Sequence, residues 1–173
     1  SKVYRSFGLT HWTSEQDPAL YTAGGVRFLT EPKNVVAVPV AQGCRMAFRR
    51  EVFDTERFVQ FLPGYCQNED VDMTFRVGQN WTILQTPHAK LLHKESPVSR
   101  IQYPAQLGQM IYAQHYFFSR YRKKTAANVA RYAWAHSGLM ALALGRAVAR
   151  SQPEVLTGIK DGYKRCVKDL VSA

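Results

Sequence analysis

The sequence predicts an α/β protein in which a region of short strands and turns precedes a bundle of three amphipathic helices. Short apolar runs broken by glycine and proline fill residues 1–100. From residue 101 onwards, apolar side chains recur with a helical period. The charge changes as well, because residues 1–119 carry a net charge of +2 and residues 120–173 carry +8. We therefore expect two domains, 1–100 and 101–173.

The size and composition of the chain limit what it can be. Its 173 residues, 46% of them hydrophobic and 12% aromatic, suffice for one folded domain with an appendage. Three cysteines, Cys44, Cys66 and Cys166, lie far apart and form no C-x-x-C pair. This pattern fits a reducing cytoplasm better than a disulfide-bonded compartment.

The first region contains four candidate extended segments. They are Val35–Val40, Cys44–Arg50, Trp81–Leu84 and Lys90–His93. Pro39 places the first of them at the edge or the end of a sheet, because proline donates no ladder hydrogen bond. The sequence therefore predicts a partial mixed sheet.

The second region predicts three helices from their starting residues and their periodicity. Pro104 is typical of a first helical turn, and the helix that follows ends in a basic cluster at residues 120–124. Thr125 is a suitable N-cap for the second helix, and Pro153 opens the third. Each helix carries an apolar stripe and a cationic face.

Two interpretations of these cationic helices stay open. The longest uncharged apolar stretch, Gly138–Gly145, is far shorter than the roughly 20 residues that a membrane-spanning helix needs. Basic amphipathic helices do bind anionic membrane surfaces through their apolar stripe and their basic rim. Alternatively, the stripes pack on each other and on the core, and the charges are solvated.

An acidic segment at residues 68–76 carries the candidate chemistry. Glu69, Asp70 and Asp72 lead into a helical turn, and Asp72 and Arg76 form an i, i+4 pair. Carboxylates at a helix N-terminus face the positive end of the helix dipole, which suits a general base. Capping together with a surface ion pair explains the same pattern without catalysis.

The order of motifs around this segment resembles the second half of a family 2 glycosyltransferase. The similarity begins with the run Gly43–Asp54, which contains a glycine, a basic pair and Phe53-Asp54. It continues through the segment Glu69-Asp70-Val71-Asp72 and Trp81, and it closes on Pro87-His88-Ala89 and His93. It covers about 50 residues, and the aromatic, basic helix at 112–124 is similar to the family's C-terminal extension.

The resemblance implies a GT-A fold and inverting transfer of a sugar from a nucleotide-sugar donor to a glycan or lipid-linked acceptor, with a divalent metal, Mg²⁺ or Mn²⁺. It assigns Asp70 as the general base and His93 as a metal ligand. It also assigns Glu69, Gly43 and Trp81 to acceptor or substrate binding. Polysaccharide biosynthesis for the cell envelope is the corresponding family-level expectation.

Each assignment has a structural alternative. Gly43 equally suits the start of a strand, Trp81 suits a core position, and His93 suits a hydrogen-bonded core histidine. Asp72 is expected to be structural and paired with Arg76. The remaining histidines, His11, His88, His115 and His136, carry no metal-site spacing.

The chain lacks the nucleotide-binding half that the family carries first. The D-x-D sequence at Asp70-Val71-Asp72 belongs to the later motif, and His93 alone would not hold a metal firmly. We therefore expect the main carboxylate ligands, and the N-terminal half itself, outside this chain, and we expect no activity without them. The expected location is cytoplasmic, with peripheral association at the inner face of the membrane.

A non-catalytic function is the second hypothesis. A degenerate transferase-like module that binds a membrane surface or a partner subunit would share the same residues. Nucleic acid is not expected as a partner, because the basic residues spread around the helices without a stacking platform.

Overall fold

A computed structural model of the protein describes residues 6–7, 12–13, 28–29, 32–59, 68–92, 94 and 101–172. The chain divides into two compact units. The strand unit contains the described residues from 12 to 94, and the helical unit contains 101–172 together with Ser6 and Phe7. Ser6 and Phe7 thus belong to the helical unit, although they lie in the segment that the sequence assigned to the first domain.

The strand unit contains two short pairs of strands. The strands β1 (Trp12–Thr13) and β2 (Phe28–Leu29) are parallel. The strands β3 (Val36–Ala37) and β4 (Leu84–Gln85) are antiparallel, with Val36 opposite Gln85. Beyond the ladder, the N–H of Val38 donates to the carbonyl of Ile83 at 2.9 Å. The described residues are mostly helical, and these two pairs are all the sheet that they contain.

Two of the predicted extended segments differ from the expectation. Gly43–Arg45 forms a 3₁₀ turn, because the N–H of Arg45 donates to Gln42 and the N–H of Gly43 donates to a side chain of another element. Residues 90–92, the described part of Lys90–His93, join no strand ladder. The amides of both segments are engaged in turns or open to solvent. The observed sheet is therefore smaller than the predicted one.

Two helices complete the strand unit. They are α1 (Val52–Thr55) and α2 (Glu69–Val77). Buried Val52 packs with Met73 and Val77 of α2, and Phe48 and Phe53 cover this cluster. The cluster fixes the inner face of α2, so its first turn keeps a defined position relative to the loop before α1.

The three predicted helices of the second region are confirmed. They are α3 (Tyr103–Tyr121), α4 (Ala126–Ala149) and α5 (Glu154–Ser172). Pro104 lies in the first turn of α3, and the Thr125 hydroxyl accepts from the N–H of Asn128 at 3.3 Å, as an N-cap does. Leu107, Ile111 and Phe117 are fully buried on α3.

Helices α3 and α5 approach closely because glycines lie between them. A Cβ atom added at Gly158 would lie 2.1 Å from the carbonyl oxygen of Pro104. One added at Gly162 would lie 2.9 Å from Cβ of Ile111, and one at Gly108 would lie 2.9 Å from the carbonyl oxygen of Gly158. Glycine is therefore required here for close packing of two backbones.

Replacement of Gly158 by Ala is expected to lower the free energy of unfolding by about 1–3 kcal/mol, because the new methyl group displaces the α3 backbone. The matched control is Gly145→Ala on α4, where an added Cβ meets nothing within 4 Å. There the better helix propensity of alanine should raise stability by about 0.8–1 kcal/mol. Urea unfolding followed by circular dichroism measures both changes. Equal stabilisation by the two substitutions would contradict the close packing.

Ser6 and Phe7 dock on α4 through one tryptophan. The indole Nε1–H of Trp134 donates to the carbonyl oxygen of Ser6 at 3.0 Å, and the rings of Phe7 and Trp134 lie 5.0 Å apart. Gly138, one turn further along α4, leaves room for the Phe7 ring. This contact attaches an early segment of the chain to the helical unit.

Candidate functional site

The candidate site begins at the first turn of α2. Asn68 precedes the helix in the left-handed conformation, with φ of 71°, and its carbonyl accepts from the N–H of Asp72. Glu69 and Asp70 follow as the first two helical residues, and both are partly buried. Asparagine tolerates this backbone conformation better than most residues, which makes a sharp entry into the helix feasible.

Backbone amides hold both carboxylate oxygens of Asp70. The N–H of Gly43 donates to Oδ2 at 2.6 Å, and the N–H of Val71 donates to Oδ1 at 2.8 Å. Gly43 lies 27 residues before Asp70 in the sequence. An added Cβ at Gly43 would lie 3.1 Å from Cβ of Asp70 and 3.2 Å from its Oδ2. Two of the predicted site residues are thus in direct contact, and the carboxylate has a fixed orientation.

A second contact anchors the loop at residues 41–45 to α2. The Thr74 hydroxyl donates to the carbonyl oxygen of Asp70 at 2.7 Å and accepts from the N–H of Ala41 at 3.1 Å. Ala41 and Gly43 therefore both bind α2, one turn apart. This arrangement keeps the loop against the first turn of the helix.

Asp72 has the structural role that the sequence predicted. Its side chain is fully buried, and Arg76 donates from Nε to its Oδ2 at 3.0 Å. Arg76 also binds the carboxylate of Glu56 and donates to the carbonyl oxygen of Arg57 at 2.6 Å. Arg76 thus links α2 to the segment after α1. The predicted pair of Asp72 with Arg76 is confirmed, and its carboxylate lies in the core.

A cleft of about 660 Å³ is lined in part by Ala41, Gln42 and Arg45 of the same loop. Its lining residues come from 32–33, from positions between 38 and 45, and from positions between 84 and 91. Its lining is apolar at positions such as Val38, Val40 and Leu84, and its charged residues are Lys33, Arg45 and Lys90. Among the lining residues that the structure describes, none is acidic, so this part of the cleft suits a ligand with negative charge and an apolar portion.

The other predicted substrate residues lie apart from one another. Glu69 is next to Asp70 at the start of α2, whereas Trp81 follows the opposite end of that helix and is 37% exposed. Arg49 and Arg50, the basic pair of the motif run to which no substrate role was assigned, are exposed in the segment before α1. The structure thus brings Glu69, Asp70 and Gly43 together but does not bring Trp81 to them.

The predicted metal ligand, His93, lies outside the described residues. Within the ranges that the structure describes, no group of three or more His, Cys, Asp or Glu side chains is placed to hold a metal ion. The described residues therefore do not by themselves fit a divalent metal.

Cys44 and Cys166 are both free thiols.

A second polar cluster, which the sequence analysis did not predict, connects α3 to α5. Arg120 donates to both carboxylate oxygens of Asp169, at 2.9 and 3.1 Å, and the Tyr112 hydroxyl contacts the same carboxylate at 3.3 Å. The hydrogen bond from Arg120 lowers the pKa of Asp169. Burial, followed by the charge of Asp169, raises the pKa of Tyr112 to about 12. The cluster ties the end of α3 to the end of α5.

The histidines of the helical unit have partners that their spacing did not predict. His136 on α4 contacts Oε1 of Gln114 at 3.2 Å and the hydroxyl of Tyr163 at 2.5 Å, so it joins all three helices. Burial lowers the pKa of His136, and the nearby His115 lowers it further. Burial also lowers the pKa of His115, although Asp169 opposes this effect from 3.8 Å.

One feature of the sequence could have indicated the cluster around Asp169. Asp169 is one of three acids among the last 54 residues, which carry 11 basic side chains. An acid that lies on the apolar side of a basic helix is a candidate for a buried ion pair. Its partner, 49 residues away, could not be read from spacing.

Comparison of the chain with models of known protein families, with curated proteins and with solved structures found no match.

Among the helices that the structure describes, none has the length and apolar character to cross a bilayer.

Proposed function

We propose that this chain is the acceptor-side part of an inverting family 2 glycosyltransferase with a GT-A fold, in which Asp70 is the general base. The supporting observation is the contact between Asp70 and Gly43. The motif resemblance assigns both residues to the site, and the Gly43 N–H holds the Asp70 carboxylate at 2.6 Å. Neither residue alone would distinguish a base from an ordinary helix-capping acid.

In the proposed reaction, an acceptor hydroxyl attacks the anomeric carbon of a nucleotide sugar. A new C–O glycosidic bond forms as the bond between the anomeric carbon and the diphosphate oxygen breaks. The hydroxyl proton passes to Asp70, and the nucleoside diphosphate leaves with the bonding electron pair. Each carboxylate oxygen of Asp70 already accepts one N–H, and its remaining lone pairs are available for that proton.

The basic cleft supports a phosphate-bearing substrate. The loop at residues 41–45 contributes Gly43 to the Asp70 carboxylate and Arg45 to the lining of the cleft. Lys33 and Lys90 add two more positive charges to the lining. A diphosphate on the sugar donor or on a lipid-linked acceptor matches this charge, and the apolar walls suit the rest of such a molecule.

The metal and the donor nucleotide belong to the same proposal. A divalent cation would stabilise charge on the leaving diphosphate. The family resemblance, with His93 as the ligand that it assigns within this chain, leads the proposal to assign the main metal ligands and the nucleotide-binding half to residues beyond this chain. A non-catalytic module remains the second candidate, and the exposed basic surface of the helical unit supports it.

Replacement of Gly43 by Ala tests the proposal, because the added methyl group would displace the Asp70 carboxylate by a few tenths of an ångström. In the full-length protein, we expect kcat for sugar transfer to fall about tenfold with little change in KM for the acceptor. The measurement is steady-state transfer from nucleotide sugars, with the product's anomeric configuration read by NMR.

Gly145→Ala is the control and should leave kcat unchanged, because its Cβ meets nothing. A product of retained configuration would contradict the inverting mechanism. An unchanged kcat in the Gly43→Ala variant would show that the position of Asp70 does not matter to transfer.

A further inference from the structure

The outer face of α5 is apolar and exposed. Its members are Leu156, Val167, Leu170 and Val171, which are 54%, 59%, 64% and 83% exposed. Tyr163 lies among them, is 42% exposed, and contacts His136 of α4 through its hydroxyl. At 100° per residue, they lie within one third of the helix circumference. Large aliphatic side chains grouped on one exposed face are typical of a surface that binds something.

The helix cannot bury this face by rotating. Val155, Gly158, Gly162 and Cys166 form the opposite face and are buried in the helical unit. The close backbone contacts at Gly158 and Gly162 fix the rotation of α5, and the ion pair of Asp169 with Arg120 fixes its far end. The outer face is therefore held outward by the packing of the rest of the unit.

A row of lysines borders the outer face. Lys160, Lys164 and Lys168 recur every four residues, and all three are exposed. The acids of α5 lie elsewhere, because Glu154 and Asp161 fall on the far side of the lysine row and Asp169 binds Arg120. The apolar residues and the positive charges thus share one side of the helix, without an acid among them.

We propose that the outer face of α5, together with this lysine row, binds the surface of an anionic lipid bilayer. Leu156, Val167 and Leu170 would enter the boundary between headgroups and acyl chains, and the lysines would contact lipid phosphates. A second copy of the chain fits this face poorly, because its lysine row would meet an identical row. The inference depends on no step of the proposed sugar transfer.

Vesicle sedimentation tests the proposal on the full chain. We expect binding to vesicles of phosphatidylcholine with phosphatidylglycerol and little binding to phosphatidylcholine alone, with release at high salt. Changing Lys160, Lys164 and Lys168 to Gln should lower the partition coefficient about 100-fold. The control changes Arg49, Arg50 and Lys94 to Gln, which removes the same charge from exposed positions of the strand unit and should have little effect.

A second variant tests the apolar residues. Leu156→Ser with Leu170→Ser should lower the partition coefficient about tenfold, whereas Val59→Ser with Leu92→Ser, at exposed positions of the strand unit, should not. Circular dichroism confirms folding of each variant.

The proposal is overturned if the wild-type chain does not bind vesicles, or if it binds both lipid compositions equally. It is also overturned if only the lysine variant loses binding, which would show charge attraction without insertion.

Discussion

Replacement of Asp70 by Asn in the full-length protein is expected to lower kcat for sugar transfer by about 10²–10⁴-fold. A positioned general base contributes acceleration of this size, and an amide cannot take the proton of the acceptor hydroxyl. KM for the nucleotide sugar should change little, because the substitution acts on the step in which the proton moves. Steady-state kinetics with saturating donor measures the effect.

The same substitution has a structural consequence that must be separated from catalysis. Both oxygens of Asp70 accept backbone N–H groups, and in Asn one of these oxygens is replaced by an NH₂ group that only donates, so Asn keeps at most one of these bonds. We expect a loss of about 0.5–1.5 kcal/mol in the free energy of unfolding, which is too small to unfold an ordinary domain.

Asp54→Asn is the matched control, since Asp54 is an exposed acid of α1. It should change neither the transfer rate nor the stability. Full activity in a folded Asp70→Asn variant would rule out Asp70 as the base. The Asp70–Gly43 contact would then be a structural link between the loop and α2.

Replacement of Arg76 by Met is expected to destabilise the strand unit by about 3–5 kcal/mol. The Asp72 carboxylate is fully buried, and Arg76 holds it at 3.0 Å while binding Glu56 and the carbonyl oxygen of Arg57. Removing Arg76 takes away the ion-pair partner of a buried carboxylate, and breaking a buried pair on one side is strongly destabilising. Urea unfolding of the variant, followed by circular dichroism, measures the loss.

Two further variants separate this effect from a general loss of charge. Arg49→Met removes an exposed arginine of the same unit and should cost less than about 0.5 kcal/mol. Asp72→Leu combined with Arg76→Met removes both charges and should be more stable than Arg76→Met alone. A cost below about 1 kcal/mol for Arg76→Met would indicate a solvent-screened pair.

The helices of the second region were predictable because their information is local. Proline at the first turn, Thr125 at the cap and the apolar period each depend on residues within four positions of one another. The Asp72–Arg76 pair has the same short range. Each of these predictions is confirmed.

The strand region was predicted less well because its amides have partners that the pattern does not specify. The β-like pattern at residues 44–50 does not predict which carbonyl or carboxylate oxygens accept hydrogen bonds from its N–H groups. In the structure, Gly43 donates to Asp70 and Arg45 donates to Gln42, so a 3₁₀ turn replaces the start of the strand. Short apolar runs carry little information about their pairing.

By itself, the sequence determined the helical half of this protein, the cationic character of that half and the acidic first turn of α2. The tertiary structure decided which residues meet: Gly43 with Asp70, Arg120 with Asp169, and Ser6 with Trp134. It also decided which apolar residues of α5 stay exposed, because the glycine contacts with α3 fix the rotation of that helix. Helix periodicity is set by neighbouring residues, whereas these contacts depend on chain segments that are far apart in sequence.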